Sequence, residues 1–218
     1  MFIDLLRSRR SIRRFTDQPV APEQLDLLVE AAVRSFSSKG INPWEFVVVQ
    51  DRTTIEALAA AKTHGSAFLR HAPLAIAVCA DPAKSDVWVE DAAIAAAILH
   101  LQAADLGLGS CWVQIRRREH DATTSAQDYV AGLLGLPPGM MVLAIIGIGH
   151  PVETKAGHPR EALPFAQVSR ERFGRRDWTA VFPCVPGARS GQGENSACLK
   201  DNFRLHSRPS ICACSSAG

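Results

Sequence analysis

Helical and strand periods interleave over residues 1–175. "PEQLDLLVEAAVRS", Pro22 to Ser35, opens with proline and sets Leu25, Leu28, Val29 and Ala32 on one face, which predicts a helix. A shorter helix is expected at the very start, from Phe2 to about Arg9, with an apolar stripe of Phe2, Leu5 and Leu6. "EFVVVQD" (Glu45 to Asp51) and "APLAIAVCAD" (Ala72 to Asp81) are apolar runs short enough to be buried strands, with the helix "TTIEALAAAK" between them. Val89 to Gly109 reads as a long alanine-rich helix, apolar on most sides and therefore central, with Gly107 as its stop. "SCWVQI", the helix "SAQDYVAGLLGL" and the fully apolar strand Met141 to Pro151 complete the series. Buried strands alternating with helices predict an α/β (α+β) three-layer sandwich, a central mixed sheet with helices on both faces.

Beyond Trp178 the periods stop. Gly, Ser, Pro and isolated charges dominate, so residues 1–175 are expected to form the domain and 176–218 a disordered or non-native tail. Cys184, Cys198, Cys212 and Cys214 fall in that tail without zinc-site spacing, whereas Cys79 and Cys111 sit in apolar runs as small buried residues. No metal site is expected.

The 218 residues carry a formal charge of only +2, yet Arg7, Arg9, Arg10, Arg13 and Arg14 crowd into eight positions. The charge is local. A nucleic-acid binder spreads a basic stripe over a whole face, and no such stripe is read in the rest of the chain. "MFIDLLRSRR" has an early acid, Asp4, and no long apolar run, and no stretch of about eighteen apolar residues suggests a membrane span. A soluble cytoplasmic protein is the expectation. If the first helix continues, Arg9 and Arg13 share its inward stripe, where a guanidinium needs an opposite charge. Two partners fit: a structural pair with Asp4 or Asp17, or a bound phosphate held by Arg9 with hydroxyl help from Ser11.

Two further stretches carry chemistry. "SFSSKGINPWEFVVV", Ser35 to Val49, places serines, a glycine and an asparagine in a short loop anchored by Pro43 and Trp44, suited to a fixed hydrogen-bonding surface. "ADLGLGSCW", Ala104 to Trp112, puts glycines after a helix and before a strand, the reverse of the dinucleotide-binding order. There Gly109 would admit a flat ligand, or Gly107 and Gly109 would serve only as a cap and a tight turn. No phosphate-binding loop ending in Gly-Lys-Ser/Thr and no Ser/His/Asp or Cys/His order is present. His100 reads as a satisfied core histidine, and His150 pairs with nothing.

In this order, "RRSIRRF", "SFSSKGINPWEFVVV" and "LGLGSCW" resemble the motifs of the FMN-dependent nitroreductase family over roughly residues 1–175. The resemblance implies an FMN-dependent NAD(P)H oxidoreductase that relays hydride through flavin N5 in a ping-pong cycle to nitroaromatic, quinone or similar acceptors. It implies FMN as cofactor, NAD(P)H as co-substrate and a homodimer binding FMN at its subunit interface, without nucleic acid or membrane. By the same resemblance Arg9 grips the FMN phosphate and Ser11 the phosphate or ribityl end. Arg13 lies near the pyrimidine edge, and Arg10 adds a contact. Ser37, Ser38 and Asn42 come from the second subunit, while Gly107, Leu108, Gly109 and Ser110 pack near the isoalloxazine. Phe36 stands where the family usually has proline, and Gly40 and Asn42 where asparagine and glutamine are common. Arg160 is the candidate for the family's C-terminal basic contact to the phosphate. No catalytic side chain is needed, because a flavin carries the redox chemistry. A non-catalytic flavin-storage or sensing protein, and a colourless nucleic-acid module, are the competing classes.

Overall fold

The run Leu74–Ala80 lies at the heart of the structure because both of its faces are covered. The computed structural model describes residues 1–176, and its contacts divide the chain into two compact units, Met1–Pro164 and Phe165–Gly218. The cysteines of the expected tail lie outside the described residues. In the first unit four strands form one sheet: β1 (Trp44–Val49), β2 (Leu74–Ala80), β3 (Gly109–Gln114) and β4 (Met141–Gly149), in the order β1-β2-β4-β3. Every neighbouring pair is antiparallel. The parallel element of the sheet is one isolated bridge, Ser11 to Ser110, at the β3 edge.

Five helices sandwich the sheet: α1 (Phe2–Ser8), α2 (Pro22–Val33), α3 (Arg52–Ala59), α4 (Trp88–Asp105) and α5 (Ala126–Leu134). Leu74, Ile76, Val78 and Ala80 meet α2 and α4, while Ala75, Ala77 and Cys79 meet α3, α5 and the 3-10 turn Ala67–His71. A strand covered on both sides is apolar at every position, not at alternate ones. A bulge opposite Val78/Cys79 inserts Leu143, so Val142 and Leu143 switch faces relative to the rest of β4. The result is a three-layer α+β sandwich.

The first helix ends close to its expected limit, but its stripe does not continue to Arg13: α1 stops at Ser8 and Arg9 takes φ −59° and ψ 131°. Residues 9–15 then run extended, because the sheet captures their backbone. The Ile12 N–H donates to the Ser110 carbonyl at 3.0 Å and the Thr16 N–H to that of His150 at 2.8 Å. Ile12 and Phe15 are buried, whereas Arg13 and Arg14 are exposed. Helix α1 itself buries nothing, and Phe2 is 63% exposed.

In the second unit the described part comprises the 3-10 turn Phe165–Gln167 and a small loop in which Arg175 pairs with Glu171 at 2.8 Å. No helix among the described residues is long and apolar enough to cross a membrane.

Candidate functional site

Helix α4 ends at Gly107, which adopts φ +72°, and the Leu108 N–H turns back to the Ala103 carbonyl at 2.8 Å. Such a left-handed C-terminal residue favours glycine. Gly109, at the foot of β3, has a different reason. A Cβ there would stand 2.8 Å from Cβ and Cγ2 of Ile12. The space expected for a flat ligand is therefore taken by the chain's own "RRSIRRF" segment. Gly109→Ala should cost about 1–3 kcal/mol in a denaturant melt. In an Ile12→Ala background the same change should cost much less, whereas strictly additive losses would contradict the contact.

Beside this contact lies a cavity of about 220 Å³ lined by Arg9, Arg10, Gly107, Leu108, Gly109 and Ser110. Glu153, Thr154 and Lys155, from the segment after β4, close its other side. Lys155 donates from Nζ to the Ser11 carbonyl at 3.2 Å and to Glu153 Oε1 at 2.9 Å, and the same oxygen accepts the Arg13 N–H at 2.8 Å. Arg10 donates to the Ala156 carbonyl. These bonds strap the arginine segment onto the end of β4, and the Arg13 N–H and Lys155 hold Glu153 below its usual carboxylate range.

The structural-pair reading of the arginines is not realised. Asp4 is taken by the Met1 ammonium and Arg7, each at 3.0 Å. Among the described residues no carboxylate pairs with Arg9 or Arg13. With Lys155 paired to Glu153, the cavity keeps an excess of positive charge from Arg9 and Arg10, open to an anion with several acceptor oxygens. A phosphate fits that donor set. A whole flavin mononucleotide exceeds it, since the volume falls below the roughly 300 Å³ lower bound for small-molecule pockets.

His100 reports the same field. It is half-buried and satisfied behind the cavity's lining: Nδ1 lies 2.7 Å from Oγ of Ser110, which lines the cavity, and the ring stacks on Trp112 at 6.2 Å. Burial first, and then the charge of Arg9, lower its pKa from 6.5 to about 4. Between these values the unfolded chain binds more protons than the folded one, so stability rises with pH through the window and is lost as pH falls through it. The contribution at neutral pH is on the order of 3 kcal/mol. His100→Asn should flatten the fall of the thermal midpoint between pH 6.5 and 4, whereas the same slope in both proteins would contradict this.

Other expected residues lie apart from the cavity lining. The Ser11 hydroxyl faces the Cys111 thiol, which burial raises against the opposing charges of Arg13 and Lys155. The Arg13 side chain is exposed. Arg160 lines a separate groove with Arg7 and His158. Ser37, Ser38 and Asn42 sit at the opposite end of α4. Ser37 Oγ accepts the Asn42 N–H at 2.9 Å, and the Ser38 N–H donates at 2.9 Å to Asp91, buried in the first turn of α4. Sixteen residues separate Asp91 from Gly107, about 24 Å of helix. Within one chain the two groups of residues therefore stay apart. Lys155 and Glu153 are the residues that sequence reading missed; they lie some 140 positions from "RRSIRRF", and their one local signal is that they follow a buried strand.

The nitroreductase family model matches residues 6–65 and 54–150, and the chain belongs to that family. An FMN-dependent nitroreductase of Clostridium difficile R20291 superposes with a TM-score of 0.77 and 43% identity, covering 78% of this chain and 99% of its own. The FMN reductase [NAD(P)H] of Bacillus subtilis is 28% identical over 190 residues, 78% of this chain and 72% of that protein. An NADH dehydrogenase of Thermus thermophilus is 28% identical over 194 residues, 73% and 90% respectively.

Proposed function

We propose that this protein is an FMN-dependent NAD(P)H oxidoreductase whose flavin lies between two copies of the chain, and that it reduces nitroaromatic, quinone or similar acceptors. The observation that carries the reading is the net cationic cavity at the foot of β3, where Arg9 has no carboxylate partner among the described residues, in a chain of the nitroreductase family. Arg9 and Lys155 would hold the FMN phosphate, with Arg10 tied to Ala156 as the side wall. Ser11 would act through its carbonyl, which orients Lys155, and Arg13 would lend positive charge near the pyrimidine edge. Gly107, Leu108, Gly109 and Ser110 would form the floor, with His100 fixing the Ser110 hydroxyl. When bound, FMN supplies the hydride chemistry between NAD(P)H and the acceptor. The protein binds, orients and shields.

The homodimer rests on α4. Its sequence is apolar on most sides, and such a helix is buried on most of its surface. In one chain its outer stripe, Ile94, Ala97, Ile98 and Leu101, lines an apolar groove of about 630 Å³ with Phe2 and Phe36. A two-fold partner is self-complementary on such a face. If the two α4 helices pack antiparallel, Ser37, Ser38 and Asn42 of one copy approach the Arg9 cavity of the other. That arrangement joins the two groups of residues into one pocket and supplies the volume that a single chain lacks.

Steady-state oxidation of NADH and NADPH with menadione or a nitrofuran tests the reading. The expected result is turnover with both acceptors and parallel double-reciprocal lines, because donor and acceptor would use one site in turn. Bound FMN that neither nucleotide reduces would make this a flavin store or sensor.

A further inference from the structure

Three arginines in succession, Arg116, Arg117 and Arg118, form the turn after β3, at the other end of that strand from the Arg9 cavity. Among the described residues none has a carboxylate partner, although Arg7, Arg34 and Arg52 each do. Their side chains are held in other ways. The Arg116 guanidinium lies 5.6 Å from the Trp88 ring centroid, and Arg118 Nη1 donates to the Arg117 carbonyl at 2.9 Å. Arg117 has φ +56°, a left-handed conformation that a long side chain rarely adopts. Lys62 adds a fourth cation: burial, then the charge of Arg118, lowers its pKa. Two acids follow closely, Glu119 and Asp121, but neither lies within ion-pair distance of the three arginines, and Asp121 accepts from the Thr123 and Thr124 N–H groups instead. A left-handed turn that gathers four cations, outnumbering its neighbouring acids, suits an anion.

The strand's outer edge connects this turn to the cavity. The Ser110 carbonyl points outward to Ile12, and in an antiparallel strand alternate residues share that direction. Trp112 and Gln114 therefore turn their backbone groups to the same outer edge, which no strand among the described residues covers. The edge runs from Ser110 to Arg116, roughly 20 Å at ~3.3 Å per residue. The Gln114 Nε2 donates to the Arg116 carbonyl at 2.9 Å, fixing the turn to the end of the edge.

We propose that the Arg116–Arg118 turn binds the 2′-phosphate of NADPH and makes NADPH the preferred electron donor. The proposal rests on the flavin reading above: a donor whose nicotinamide reaches a flavin on this edge must lead its adenosine half away from the cavity already holding the FMN phosphate. Planar guanidinium forks match a phosphate monoester, and NADH carries none at that position.

The test uses the flavin-loaded full chain. In titration calorimetry 2′,5′-ADP should bind at least tenfold more tightly than 5′-AMP, and Arg117→Asn/Arg118→Gln should remove that difference. Asparagine tolerates the left-handed backbone, so the turn is kept. The same variant should raise the KM for NADPH tenfold or more while leaving kcat/KM for NADH, and the flavin content, within about twofold. A yellow wild-type enzyme that binds 2′,5′-ADP no better than 5′-AMP, or uses both nucleotides equally, overturns the proposal and leaves the flavin reading intact. A colourless protein that takes up no FMN overturns that earlier reading instead.

Discussion

Replacing Arg9 by glutamate should leave a folded protein that no longer retains FMN. The expected fall in affinity is roughly 100-fold or more, because a charge-assisted bond to phosphate contributes about 1.5–3 kcal/mol and the new carboxylate adds repulsion. Folding should survive, since Arg9 has no carboxylate partner among the described residues to lose. The fluorescence quenching of FMN titrated into the stripped protein measures the affinity, and circular dichroism the fold. Arg9→Lys should retain much of the binding, because the charge remains while the fork is lost. Unchanged affinity in Arg9→Glu would remove the phosphate from this cavity.

Ile98→Glu should convert the protein to a monomer and empty it of flavin in the same step. Ile98 lies in the middle of the α4 stripe, in a groove open to water within one chain. There a glutamate is harmless, so the fold should persist. Buried between two copies it would be an unpaired charge, of the kind that costs several kcal/mol. Light scattering should then give a mass near 23.6 kDa, that of one chain, in place of twice that value. Flavin should be lost with the partner, because Ser37, Ser38 and Asn42 would no longer reach the Arg9 cavity. A monomeric variant that still holds FMN would show that one chain suffices.

Much of this was legible along the chain, for local reasons. The unbroken apolar run Leu74–Ala80 announced a strand covered on both faces, and α4, apolar on most sides, announced a central helix. Gly107 marked that helix's end, and its positive φ shows why. The failures were tertiary. The end of α1 near Arg9 was legible, but nothing local says that the following segment runs extended, where β3 and the end of β4 offer it backbone partners. A helical stripe drawn through Arg13 was therefore extended too far. For Gly109 the sequence leaves a flat ligand and a tight turn as alternatives, and names neither Ile12, nearly a hundred residues earlier, nor its contact there. Lys155 and Glu153 gained a role only when β4 delivered them beside Ser11 and Arg13.

The claim on which the rest depends is that the cavity of Arg9, Arg10 and Lys155 holds the phosphate of FMN. The visible absorption spectrum of the purified protein tests it most directly, followed by heat release of the chromophore and its identification. The account predicts flavin bands that bleach on anaerobic addition of NADPH, and FMN as the only flavin released. A colourless protein that stays colourless after incubation with excess FMN would contradict it.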